Sequence, residues 1–60
     1  VKLAPLATHL HNNLGYTYFL LGQDEKAIKA FEQSLYLDPE NERAQFNLSL
    51  AHKKKKKSGE

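Results

Sequence analysis

The sequence predicts an all-α fold, in which an antiparallel helix-turn-helix repeat packs against a third helix that acts as a cap. Three observations indicate it. Pro5 and Pro39 stand 34 residues apart, and other residues recur at that offset, among them Asn13 with Asn47. Apolar residues follow helical spacing, and turn-forming residues interrupt the pattern. A fixed period of this length is typical of a fragment of an α–α superhelix, whose helix pairs need neighbours to bury their apolar sides.

The first helix is expected over residues 8–21, after residues 1–7 that form the end of a preceding repeat and a turn. The chain is therefore expected to be an excised piece of a longer protein. Thr8 fits the N-cap, and Gly22 fits the residue just past the helix end. One continuous apolar stripe follows the helix at i, i+4, i+8 and i+11: Leu10, Leu14, Tyr18 and Leu21.

The second helix is expected over residues 24–37 and the third over residues 42–57, with a disordered tail at 58–60. Asp24 and Asn41 fit the N-caps of these two helices. Residues at helical spacing give the second helix its buried face: Ala27, Ile28, Phe31, Ser34 and Leu35. Ala44, Leu48 and Ala51 line one side of the third helix. A short connection makes the first two helices antiparallel neighbours.

The charge is divided unevenly along the chain. The net charge is +2, yet residues 1–52 carry four Lys or Arg against six Asp or Glu, a net −2. Lys53–Lys57 supply the positive excess. The body of the chain therefore does not have the composition of a nucleic-acid-binding domain, and only the lysine run is a candidate for such binding.

Catalysis and metal binding find little support in the residue types. The chain has no cysteine, and no apolar run approaches the length of a membrane span. His9 and His11 lie two residues apart, which on a helix points them in different directions, unlike the i, i+4 pair that a metal needs. No serine, histidine and aspartate set indicates an activated nucleophile. We therefore expect no enzyme activity and no cofactor.

Seven residues at fixed distances carry a resemblance to a known family: His11, Leu14, Gly15, Tyr18, Ala27, Phe31 and Pro39. In this order and spacing they resemble the tetratricopeptide repeat, except that the family has Trp where this chain has His11. The resemblance covers residues 8–41 as one complete motif and residues 42–53 as the first helix of another. In that partial repeat, Ser49 and His52 take the places of Gly15 and Tyr18, which suits a closing helix.

The resemblance implies where packing and binding residues lie. Gly15 and Ala27 are small where the two helices cross, and Tyr18 and Phe31 fill the space beside them. Stacks of this family hold extended ligands on a concave face with an asparagine ladder, here Asn13 and Asn47. The residues expected to contact a partner are His9, Asn12, Asn13, Tyr16, Arg43, Phe46, Asn47 and Leu50.

The predicted function is a protein–protein interaction module that binds an extended peptide or a partner helix, with weak self-association also possible. Two alternatives remain open. Lys53–Lys57 provide charge for nucleic acid, anionic lipid or nuclear targeting. The second alternative is that the chain serves as a purely structural C-terminal cap of a longer solenoid. We expect an intracellular protein, cytoplasmic or nuclear.

Overall fold

A computed structural model describes residues 6–58, which form three helices: α1 (Leu6–Leu20), α2 (Asp24–Leu37) and α3 (Glu42–Ser58). Thr8 near the start of α1 bonds to Ser34 near the end of α2, so the two helices are antiparallel. Helix α3 packs along α2 and touches α1 at a few points. Within residues 6–58 there is no strand, which confirms the all-α prediction. None of the described helices is long and apolar enough to cross a membrane.

The turn between α1 and α2 depends on Gly22. Its φ of 81° is a left-handed conformation that costs a glycine little. The Gly22 N–H donates to the Phe19 carbonyl at 3.1 Å, and the Gln23 N–H donates to the Tyr18 carbonyl at 2.9 Å. These two bonds satisfy carbonyls that the end of a helix leaves without partners. Gly22 therefore ends the helix as predicted, although Leu21 lies in the turn and α1 ends one residue earlier than expected.

Helices α1 and α2 cross closely at Gly15. A Cβ atom built on Gly15 would lie 2.6 Å from two ring carbons of Phe31, so no larger residue fits there without moving the ring. Phe31 and Ala27 are fully buried at this crossing. Together with Ile28 and Ala51, they form the core, and Tyr18, Phe19 and Leu48 pack against it.

Thr8 has a different role from the one its sequence position suggests. Helix α1 already begins at Leu6, so the expectation that Thr8 caps the helix is wrong. Its hydroxyl donates to the Ser34 carbonyl at 2.6 Å, and the Ser34 hydroxyl donates to the Thr8 carbonyl at 2.7 Å. Both residues are fully buried. The paired bonds satisfy hydroxyls that would otherwise be costly to bury.

Of the other two predicted N-caps, Asn41 is confirmed and Asp24 is wrong. The side-chain oxygen of Asn41 accepts the Ala44 N–H at 3.1 Å, which confirms Asn41 as the cap of α3. Asp24 is instead the first residue of α2, whose N-cap is Gln23 without a side-chain cap bond. The reason is the short turn, because the Gln23 carbonyl already accepts the Ala27 N–H at 3.0 Å and so starts the helix one residue earlier.

Of the apolar stripe predicted for α1, Tyr18 packs against the core, whereas the three leucines are exposed. Leu10 and Leu14 are 59% and 45% exposed, and Leu21 is exposed in the turn. The buried residues of α1 are Thr8, Asn12 and Gly15. Small and polar residues, rather than leucines, allow the close approach to α2, and the leucines lie on another face.

The remaining differences concern the ends. Residues 6 and 7 belong to α1 rather than to a preceding turn, and Ser58 belongs to α3 rather than to a disordered tail. The expectations for residues 1–5 and for residues 59 and 60 lie outside the described part of the chain.

Candidate interaction surface

Helices α1 and α3 lie side by side and form a continuous surface. Two hydrogen bonds join them, seven residues apart on each helix. The Asn47 amide donates to the Asn12 side-chain oxygen at 3.0 Å, and the Lys54 ammonium donates to the Phe19 carbonyl at 3.0 Å. The two helices therefore run parallel. We call the residues that make these bonds, together with residues at helical spacing around them on the same two helices, the α1–α3 surface: His9, Asn12, Asn13, Tyr16, Phe19, Arg43, Phe46, Asn47, Leu50 and Lys54.

The asparagines of this surface differ in how much of each amide is available. Asn12 is buried at 8% exposure, where its oxygen accepts the bond from half-buried Asn47. Asn13 is exposed, and within residues 6–58 its side chain makes no hydrogen bond. Asn12 was expected to contact a partner directly, but its buried position makes it a support that fixes the orientation of Asn47.

Aromatic side chains are exposed on both sides of the seam. Tyr16 is 48% exposed, and its ring stacks on Phe19 with centroids 6.3 Å apart and planes at 21°. Phe46 on α3 is 64% exposed. Stacking fixes the Tyr16 ring, so a partner that covers it would lose little side-chain freedom.

The other expected contact residues also lie on exposed or partly exposed positions of the two helices. His9 and Arg43 are exposed, and Leu50 is half-buried. The structure thus places seven of the eight expected contact residues at accessible or half-accessible positions, and Asn12 beneath them. Their side chains carry amide, aromatic and guanidinium groups, which form hydrogen bonds, stack and pair with charges.

Part of the lysine run is engaged with the protein itself. The Lys54 ammonium lies 3.6 Å from a carboxylate oxygen of Asp24 and 4.7 Å above the Phe19 ring. Lys55 lies 3.8 Å from Glu25. Lys54 thereby contacts the last turn of α1 and the first turn of α2 together. A carbonyl at the C-terminal end of a helix favours a cation, as does a carboxylate.

Sequence reasoning did not single out this contact. By the 34-residue offset, Lys54 takes the place of Leu20, next to the end of α1. Two features of the sequence point to this contact. Lys54 is charged where the equivalent position of α1 holds leucine, and α2 begins with the acidic residues Asp24 and Glu25.

No metal site gathers in the described residues. Across 6–58, no group of three or more His, Cys, Asp or Glu side chains lies close enough to hold an ion. His9 is exposed and His11 half-buried on α1, and His52 is exposed on α3.

Comparison with known families agrees with this geometry. A family model described as tetratricopeptide repeat matches residues 10–41, which contain all seven residues of the expected pattern. No curated protein and no solved structure matches the chain. Because the family match covers more than half of the chain, and because the close crossing at Gly15 and the packing of α3 follow from its pattern, the chain belongs to the tetratricopeptide-repeat family.

Proposed function

We propose that the chain binds an extended peptide or a partner helix across the α1–α3 surface, which we identify with the concave face expected from the sequence. Tetratricopeptide repeats are generally protein–protein interaction modules. The observation that carries the proposal for this chain is the pairing of Asn12 with Asn47 beside an unengaged Asn13.

The two outer asparagines offer complementary bonding groups. Asn13 has both amide hydrogens and its oxygen available, while Asn47 keeps its oxygen and one hydrogen after donating to Asn12. An extended peptide exposes N–H and C=O groups in regular alternation, and most of its sequence information lies in the side chains. Amides bind such a backbone in either chain direction, so Asn13 and Asn47 supply affinity without demanding one sequence.

Selectivity comes from the groups around the asparagines. Tyr16 and Arg43 are of residue types enriched among the energetically dominant residues of interfaces, and Phe46 is of a type enriched at interfaces generally. The exposed aromatic rings favour apolar side chains of the partner, and Arg43 favours a carboxylate. We therefore propose a peptide with an acidic group and an apolar side chain as the preferred ligand class.

The alternative through the lysine run is less supported. Lys54 and Lys55 already lie beside Asp24 and Glu25, so two charges of the run are partly compensated within the molecule. Lys53 and Lys56 are exposed. If the lysine run carried the function, binding of RNA, DNA or anionic vesicles would fall steeply with salt concentration.

The test uses a displayed library of random linear peptides selected against the chain. A selected peptide, labelled for fluorescence anisotropy, is titrated with wild type and with Asn13→Ala/Asn47→Ala. We expect the double variant to weaken binding by about 1–3 kcal/mol, because two groups that bond to the peptide backbone are lost. Asn47→Ala also removes the donor to the buried Asn12 oxygen and should cost about 1–3 kcal/mol of stability, so affinities are compared at a temperature where circular dichroism shows both proteins to be folded.

Gln33→Ala is the matched control, because it removes an exposed amide that lines a groove between α1 and α2 and is not part of the α1–α3 surface. Its affinity should equal that of wild type. Equal affinity of wild type and the asparagine double variant would contradict the proposal.

A further inference from the structure

Lys54 of α3 lies where the end of α1 meets the start of α2. Its ammonium donates to the Phe19 carbonyl at 3.0 Å and lies 4.7 Å from the centroid of the Phe19 ring. The same ring stacks on Tyr16. We propose that Lys54 is a positioning residue for the peptide site. Its ammonium fixes the Phe19 ring and, through it, the exposed Tyr16 ring, without contacting the peptide. This inference rests on the proposed function of the α1–α3 surface.

The partners of the ammonium explain why Lys54 supports the site rather than binding the peptide. The ammonium lies beside a carbonyl and an aromatic ring of Phe19 and, at 3.6 Å, a carboxylate oxygen of Asp24. The Phe19 carbonyl also accepts the Gly22 N–H at 3.1 Å, so both of its lone pairs are used. A carboxylate of a peptide would have to draw the ammonium away from groups that already compensate its charge.

The place of Tyr16 on α1 makes its ring depend on this contact. Tyr16 lies four residues after Asn12 and three before Phe19, the two residues that bond to α3. Asn12 is buried and accepts its bond from Asn47, whereas Tyr16 is 48% exposed and stacks on Phe19. Helices α1 and α3 otherwise touch at few points. Without the Lys54 contact, the Phe19 ring is free to turn, and the Tyr16 ring loses its support.

A fixed ring raises affinity because binding does not have to order it. A side chain that moves in the free protein and is immobilised by a ligand weakens binding by about two- to tenfold. We therefore expect Lys54→Gln to weaken peptide binding by about that factor. Lys54→Arg should bind like wild type, since a guanidinium keeps the charge, donates to carbonyls and packs on aromatic rings.

The affinity test uses the full 60-residue chain and the peptide selected against wild type, followed by fluorescence anisotropy. The matched control is Lys53→Gln, which makes the same change in charge at an exposed position that forms no ion pair with a described residue. Its affinity should equal that of wild type. Equal weakening by Lys53→Gln and Lys54→Gln would overturn the inference, because net charge alone would then explain the loss.

A double-mutant cycle with Tyr16→Ala separates positioning from direct contact. If Lys54 acts through the ring of Tyr16, Lys54→Gln should change the affinity of the Tyr16→Ala protein by less than about twofold. The same loss in both backgrounds would overturn the inference, because Lys54 would then contact the peptide itself.

The last measurement needs no peptide. Nuclear Overhauser effects between the Tyr16 and Phe19 rings should weaken in Lys54→Gln and persist in Lys54→Arg. Ring contacts that stay unchanged in Lys54→Gln would overturn the inference and leave Lys54 a purely stabilising residue. A peptide that binds equally well without the Asn13 and Asn47 amides would contradict the proposed function instead, and the ring contacts would still decide the role of Lys54.

Discussion

Helices α1 and α3 are related by the 34-residue repeat, yet they bury opposite faces. Thr8, Gly15 and Tyr18 of α1 face α2 and are buried or half-buried. Their equivalents in α3, at positions 42, 49 and 52, are Glu42, Ser49 and His52, all exposed. At these three positions α1 has a small or aromatic residue facing α2, and α3 has a polar residue exposed to solvent.

The other face of each helix shows the reverse relation. Ala44 and Ala51 of α3 are fully buried, whereas their equivalents Leu10 and Thr17 in α1 are exposed. As a result the molecule has one end that is polar, at α3, and one that is apolar, at α1. A polar outer face is what repeat proteins need on a terminal unit. The apolar end also borders a groove between α1 and α2, which Leu14, Tyr18 and Ala30 line.

The largest expected effect on stability comes from removing the Phe31 side chain, which packs with residues of both α1 and α3. Phe31 is fully buried, lies against Gly15 of α1, and belongs to the core that contains Ala51 of α3. Phe31→Ala should lower the free energy of unfolding by about 3–5 kcal/mol, because it leaves a cavity at the centre of the fold. Urea denaturation followed by circular dichroism measures this loss.

Phe46→Ala is the control for that variant, since Phe46 is 64% exposed on α3. Its effect should stay within about 0.5 kcal/mol. Similar losses from the two phenylalanine variants would show that the core is not centred on Phe31.

Substitution by alanine should change stability by a smaller amount, and in opposite directions, at the equivalent positions 15 and 49. Gly15→Ala places a Cβ against the buried Phe31 ring and should cost about 1–3 kcal/mol, reduced by the gain in helix propensity. Ser49→Ala meets no such ring, because Ser49 is exposed, and should stabilise the chain by about 0.5 kcal/mol. Thermal unfolding of the two variants would show melting temperatures on either side of the wild-type value. Stabilisation by Gly15→Ala would mean that the helices do not cross at the observed distance.

The smallest expected effect on stability comes from removing the contacts of Lys54, near the C-terminal end of α3. Lys54→Gln removes the ion pair with Asp24 and the cation above Phe19, and should cost about 0.2–1 kcal/mol. Lys53→Gln serves as the control because Lys53 is exposed and makes no ion pair with a described residue. Hydrogen exchange of the last turns of α3 should accelerate in the first variant only. The same exchange rate in both would assign Lys54 no role in holding the helix.

Much of the fold was predictable because its determinants are local. Gly22 ends α1 and Asn41 caps α3, and both roles depend on the chain within a few residues. The Gly15–Phe31 contact followed from the resemblance, which carries tertiary information that helical periodicity lacks.

The errors arose where contacts between helices outweigh local preference. Thr8 is a good capping residue, but its hydroxyl bonds to Ser34 on another helix. The leucine stripe of α1 has the spacing of a buried face, and periodicity alone does not say whether a neighbour covers it. In the same way, Asn12 was expected to contact a partner beside the pair Asn13 and Asn47, whereas in the structure it is buried and accepts a hydrogen bond from Asn47.

The reciprocal bonds between Thr8 and Ser34 also determine the alignment of the hairpin. At the crossing, the Phe31 ring fits against Gly15, a position where a larger residue would collide with it. A slide by a single turn would move the ring away from Gly15 and separate the two buried hydroxyls, and each hydroxyl left without a partner would cost about 1–3 kcal/mol. The register of α1 against α2 is thus specified twice, by an apolar contact at the crossing and by a pair of hydrogen bonds near one end of the hairpin.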